Sequence, residues 1–145
     1  CEMIDLAIKE EPYMVLCDYE GSEDSYHFTY QTLGEFKKMY PNDEFYFIMG
    51  ADCLYTIEKW REPERIFRAC HLIAAARNGS SLCDMEVKCK ELTEKYHANI
   101  LLLQFPNIEI SSTDIRERMS SGRSVRYLVP ESVHKYMIEN SLYKQ

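Results

Sequence analysis

A chain of 145 residues, 46% of them hydrophobic, is long enough to enclose one core and short for two, so a single domain over residues 1–145 is expected. Its 24 acidic against 17 basic residues leave a formal charge of -7. That excludes a surface made to hold nucleic acid or an anionic membrane, because such partners are bound by clustered positive charge.

The first residues, "CEMIDLAIKEEP", lack the basic start and apolar stretch of a signal peptide, and no apolar run approaches the roughly 20 residues that cross a bilayer. A cytoplasmic protein is expected. Met3, Ile4, Ala7 and Ile8 have the spacing of the last turns of a helix, which Pro12 stops because its ring cannot continue one. The chain thus reads as starting partway through an element, with a front segment missing before Cys1.

"YMVLC" (13–17) reads as a short apolar strand and "DYEGSEDSYH" as a polar loop. Phe28, Leu33, Phe36 and Tyr40 fall at roughly helical spacing in a helix that ends at "PND", and "EFYFIMG" is a nearly continuous apolar run suited to a strand covered on both faces. "DCLYTIEKW" and "EPERIFRA" predict two short helices, "CHLIAAA" a buried strand, Ser81 to Tyr96 an amphipathic helix, and "NILLLQF" another strand. A helix at Ser112 to Met119 and a last one in "PESVHKYMIENSLY", opened by Pro130, complete the series. This alternation predicts an α/β fold with a parallel sheet and crossover helices. The six cysteines (Cys1, Cys17, Cys53, Cys70, Cys83, Cys89) show no CxxC pair and read as reduced thiols. The four histidines are equally dispersed, and no protein-built metal site is expected.

Open parallel sheets bind ligands beyond the carboxyl ends of their strands, which selects three places. In "MGAD", Gly50 lets backbone approach a ligand, while Asp52 either accepts hydrogen bonds from ribose hydroxyls or caps the next helix. In "AARNG", Arg77 is either a cation at the ligand edge or a solvated surface residue. In "EISSTDIRERM", unpaired backbone N–H groups at a helix start favour an anion; Ser111, Ser112 and Thr113 add hydroxyl donors, and Arg116 can reach back from one turn inside. The competing reading of that stretch is a plain cap, with Ser111 and Asp114 in a capping-box-like arrangement. Trp60, the one tryptophan, sits between charged residues in "EKWREPERIF" and serves either as a packing anchor or as a platform for a flat ring.

Together "FTYQT", "FIMGAD", "EKWREPERIF", "LIAAARNG", "ISSTDIRERM" and "YLVPESVHKYMIENSLY" resemble the nicotinate-nucleotide adenylyltransferases, in the family's order and over nearly the whole chain. The resemblance implies a Rossmann-like parallel sheet with helices on both faces, here without the first strand and helix. It also implies roles: Ser111, Ser112, Thr113 and Arg116 cradling ATP phosphates, Gly50 and Asp52 at the nucleotide ribose, and Arg77 near ATP. Trp60 would stack on the pyridine ring, with Thr29 beside the nicotinate carboxylate. Arg61 departs from the aromatic residue associated with its position. The family's G-x-F-x-P-x-H-x-G-H segment has no counterpart among these residues, so the chain is expected to start after it, leaving two strands with unpaired edges in mid-sheet.

The reaction implied is transfer of AMP from ATP to nicotinate mononucleotide with release of pyrophosphate, catalysed by positioning and by countering phosphate charge. Arg116 is the catalytic residue expected within this stretch, and Mg2+ would arrive with the triphosphate. ATP and nicotinate mononucleotide are the expected partners, with a homo-oligomer or strand swap compensating for the missing front. The alternatives are a sibling adenylyltransferase acting on nicotinamide mononucleotide or phosphopantetheine, and a non-catalytic ATP- or NAD-binding module.

Overall fold

A computed structural model describes residues 1–21, 27–76, 82–104, 106 and 108–144. Its elements in chain order are α1 (Glu2–Ile8), α2 (Thr29–Met39), β1 (Tyr46–Gly50), α3 (Ala51–Thr56), a 3-10 turn (Ile57–Lys59), α4 (Pro63–Ala69), β2 (His71–Ala76), α5 (Leu82–Tyr96), β3 (Ile100–Gln104), α6 (Ser112–Ser120) and α7 (Glu131–Glu139). They form two compact units, Glu23–Asn107 in one and Cys1–Ser22 with Ile108–Gln145 in the other. No described helix is long and apolar enough to cross a membrane.

The first unit is built on a parallel sheet of order β1-β2-β3. Register sets its two faces. Leu72 lies between Phe47 and Ile100, and Ala74 between Met49 and Leu102, so these residues share one side of the pleat. That side joins Tyr30 and Leu33 of α2, Leu54 of α3, Ile66 and Phe67 of α4, and Met85 and Leu92 of α5 in one core. Leu54, Ile57, Ile66, Leu72, Met85 and Leu92 are fully buried, each worth about 1.5–3 kcal/mol relative to exposure. The opposite side carries Ile48, Leu101 and Leu103, apolar but exposed, with Ile48 at 68%, and the half-buried Ile73.

Helix ends follow local chemistry. The Phe28 N–H before α2 is taken by the Gln31 side chain at 3.0 Å. Pro63 opens α4, where its missing N–H leaves no intrahelical bond unmade. In the second unit, α6 closes in a Schellman turn: Arg123 N–H donates to the Arg118 carbonyl (2.8 Å) and Gly122 N–H to the Met119 carbonyl (3.2 Å). Gly122 has φ +71 there, a conformation glycine adopts without a Cβ penalty. That unit's core is Met119, Val125, Val133 and Met137, with Met3 and Leu6 of α1 packed against it. The Ser132 hydroxyl donates to the Leu6 carbonyl at 3.0 Å, and the Tyr136 hydroxyl to Glu2, so the opening helix docks beside the last one.

One expectation needs correction. "YMVLC" forms no strand: Tyr13 is 95% and Val15 87% exposed, and no described strand runs beside them. An apolar run supplies the side chains of a strand, but a ladder also needs a partner backbone. The three described strands pair continuously, with β1 at one edge of the sheet and β3 at the other.

Candidate functional site

Within the sheet unit, β1 runs out at Gly50, and the chain turns directly into α3. Gly50 is the N-cap of that helix with φ -76 and ψ 164, so no left-handed backbone requires glycine. A Cβ added there would meet nothing within 4 Å among the described residues. The freedom is spatial: a surface left clear at the carboxyl edge of the sheet. Asp52 follows in the first turn of α3, exposed, and its carboxylate makes no cap hydrogen bond. Of the two readings of Asp52, the cap is therefore set aside.

Thr29 and Trp60 do come together. Both line a cavity of about 450 Å³ with His27, Phe28, Lys59, Arg61 and Ile66. Thr29 is the first residue of α2, where backbone N–H groups lack intrahelical acceptors. Trp60 directly follows the 3-10 turn, which its N–H closes by donating to the Ile57 carbonyl at 3.0 Å. Its indole meets the Phe47 ring edge-on, centroids 6.1 Å apart at 79°. Trp60 is thus a packing anchor and a cavity wall at once, because an indole is large enough to bury one part and present another.

Sequence reasoning missed Phe28 and the placement of Arg61. The Arg61 guanidinium lies 4.8 Å from the centre of the Phe28 ring, a cation-π contact that holds a positive charge at the cavity. Arg65 stacks likewise on Tyr30 at 4.7 Å but is paired with Glu62 at 3.0 Å. The signal available in sequence was the basic pair flanking Trp60, Lys59 and Arg61. It indicated charge without indicating where that charge would sit.

Glu58 lies in the turn before Trp60. Its carboxylate accepts from Lys88 Nζ (2.6 Å), Lys95 Nζ (2.8 Å) and the Tyr96 hydroxyl (3.1 Å), all on α5. These donors, Lys88 foremost, hold the Glu58 carboxyl at about 2, well below the usual carboxylate range, and Glu58 in turn raises both lysines.

In the other unit, Ser111 is the N-cap of α6, its hydroxyl oxygen accepting from Asp114 N–H at 3.1 Å. The capping-box part of that expectation fails. Asp114 does not reach back; its two oxygens are taken by Arg118 Nε at 3.0 and 2.8 Å, one turn on. Ser112 and Thr113 stand exposed at the helix mouth, and Arg116 bends back toward them, its Nη2 3.4 Å from Thr113 Oγ1. Capping therefore falls to Ser111, and the Ser112 and Thr113 hydroxyls are not used for it. Arg77 lies outside the described residues.

A cytidylyltransferase-like family model matches residues 1–118. The chain is 42% identical over 141 residues to a probable nicotinate-nucleotide adenylyltransferase of Lachnoclostridium phytofermentans, with 97% of this chain and 70% of that protein aligned. It is 38% identical over 146 residues to the protein of that name from Clostridium kluyveri, covering 99% and 72%. Among solved structures, the nicotinic acid mononucleotide adenylyltransferase of Plasmodium falciparum complexed with APC superposes with a TM-score of 0.74 over 98% of this chain and 73% of that one. At 22% identity that likeness speaks to the fold, and the Rossmann-like expectation holds.

Proposed function

This chain belongs to the nicotinate-nucleotide adenylyltransferase family, and on that premise we propose that it transfers AMP from ATP to nicotinate mononucleotide in NAD biosynthesis. A 5'-phosphate oxygen of the mononucleotide attacks the α-phosphorus, the bond from that phosphorus to the bridging oxygen breaks, and pyrophosphate leaves. The observation that carries the acceptor's identity is the shared cavity of Thr29 and Trp60. An indole wall suits a flat heterocycle, while the start of α2 and the Arg61 guanidinium favour a negative charge on that ring.

The remaining roles follow from chemistry and placement. Gly50 and Asp52 serve the nucleotide ribose, supported by the clear space over Gly50 and the uncapped carboxylate of Asp52. Ser112 and Thr113, with the amides beside the Ser111 cap, hold phosphate oxygens, and Arg116 counters the charge that grows on them during transfer. Arg77 is assigned to the ATP side by its place after β2.

Among the described residues no group of three His, Cys, Asp or Glu side chains stands close enough to hold a metal ion. Mg2+ is assigned to the substrate side, arriving with the triphosphate. The enzyme works in the cytoplasm, as a homo-oligomer or strand-swapped form supported by the open edge of β1.

The test is pyrophosphate release by the full-length gene product with ATP and, in parallel, nicotinate mononucleotide, its amide or phosphopantetheine. Turnover that prefers the acid is expected. Nucleotide binding without turnover, or preference for phosphopantetheine, would overturn the reading.

A further inference from the structure

The indole in the wall of the ring cavity directly follows a short turn, and short turns are held by what they are tied to. Trp60 is fixed on one side by the Phe47 ring in β1. On the other side the chain leads back through Lys59 to Glu58, whose carboxylate sits among three donors of α5. Lys88 and Glu58 are partly withdrawn from water, with side chains 17% and 27% exposed. Tyr96, the third donor, is itself stacked on Phe67 at 4.7 Å. The peg therefore ends in the core, where Phe67 is buried, and not in a mobile surface pair. Its partners lie 30 to 38 residues away in sequence, so nothing local to the turn replaces them.

We propose that Glu58 is a positioning residue for the acceptor site: by anchoring the 3-10 turn to α5 through Lys88, Lys95 and Tyr96, it sets the indole of Trp60 against the incoming pyridine ring. Glu58 does not line the cavity and touches no substrate. It acts through the two peptide units that separate it from Trp60. The inference rests on the ring-stacking role proposed above for Trp60. It adds that α5, an element with no residue in the cavity, controls that role.

Trp60 is the only tryptophan of these 145 residues, so the tryptophan fluorescence of this chain reports that position alone. Glu58→Gln keeps the shape and removes the charge, while Lys88→Met with Lys95→Met removes the donors from the α5 side. In the free protein, both are expected to make Trp60 more accessible to acrylamide. In turnover, both should raise KM for nicotinate mononucleotide by between about twofold and about twelvefold, the span of an aromatic stacking contact, with KM for ATP unchanged. Glu58→Asp, shorter by one methylene, should fall between Glu58→Gln and the parent.

A merely structural role predicts something else: lower melting temperature, fewer active molecules, and both KM values unmoved or moved alike. That pattern, or unaltered acrylamide quenching in both variants, overturns the proposal. If the unsubstituted protein shows no change in Trp60 emission on adding nicotinate mononucleotide, the stacking role fails. The acrylamide comparison still decides whether Glu58 governs the indole.

Discussion

Replacing Ser111 by Ala and Thr113 by Val should separate helix capping from phosphate binding. Ser111 Oγ makes the one side-chain cap of α6, at 3.1 Å from Asp114 N. Loss of such a cap costs about 1 kcal/mol, within a range of about 0.5–2. In a domain of this size, that lowers the melting temperature by about 3–4 °C. Thr113 Oγ1 has only the long 3.4 Å contact with Arg116, so Thr113→Val should change stability by less than about 0.5 kcal/mol. Its effect should appear in catalysis: a hydroxyl donating to a charged phosphate oxygen is worth about 1.5–3 kcal/mol, hence about a 10- to 150-fold fall in kcat/KM for ATP. Thermal melts followed by circular dichroism, together with initial rates of pyrophosphate release at varied ATP, measure both quantities on the same samples. A Thr113→Val protein that melts several degrees early with normal ATP kinetics would refute the division. So would a Ser111→Ala protein of unchanged stability that has lost ATP turnover.

Gly50→Ala should melt within about 2 °C of the parent, since its φ of -76 is ordinary and the added methyl meets no described atom. If the nucleotide lies over that surface, calorimetry will show weaker ATP binding. Arg61→Gln should lower the ratio of kcat/KM for nicotinate over nicotinamide mononucleotide by about tenfold, the lower end for a charged hydrogen bond, in paired initial-rate assays. An unchanged ratio assigns the preference to α2 alone. The Glu58 network gives a pH signature. Its folded carboxyl, at about 2, lies below its ordinary value of 4.5, so its stabilisation is complete above 4.5 and is lost as pH falls from there toward 2. After allowance for solvent screening, this amounts to roughly 1 kcal/mol. The melting-temperature gap between the parent and Glu58→Gln should therefore narrow as pH falls from 5 to 3 and close only toward pH 2. A gap that stays constant over that range removes Glu58 as its source.

The strands were legible because each is a short apolar run between turn residues, and the three pair in parallel as the alternation with helices required. The start of α6 was legible because capping is local: Ser111 and the amide it caps are three residues apart. Thr29 and Trp60 needed the family resemblance, since neither residue alone shows that it shares a cavity with the other. "YMVLC" misled because side-chain pattern carries no information about whether a partner strand is present. The Glu58 clamp and the Arg61–Phe28 stack could not be read at all. Each joins residues brought together only by packing, and a charged residue in a turn reads in sequence as a solvated one.

The bond from Ser132 to Leu6 joins positions 126 residues apart. At translation rates of about 5–20 residues per second, α1 waits about 6–25 s on the ribosome before its partner helix exists. Met3 and Leu6 remain without their packing surface in that interval, whereas the contiguous block Glu23–Asn107 packs its three strands on helices made within the same stretch. Nascent molecules should thus acquire the aromatic cavity first and the serine-threonine helix mouth last, so that on the roles proposed above a stalled or truncated product would hold the ring without the triphosphate.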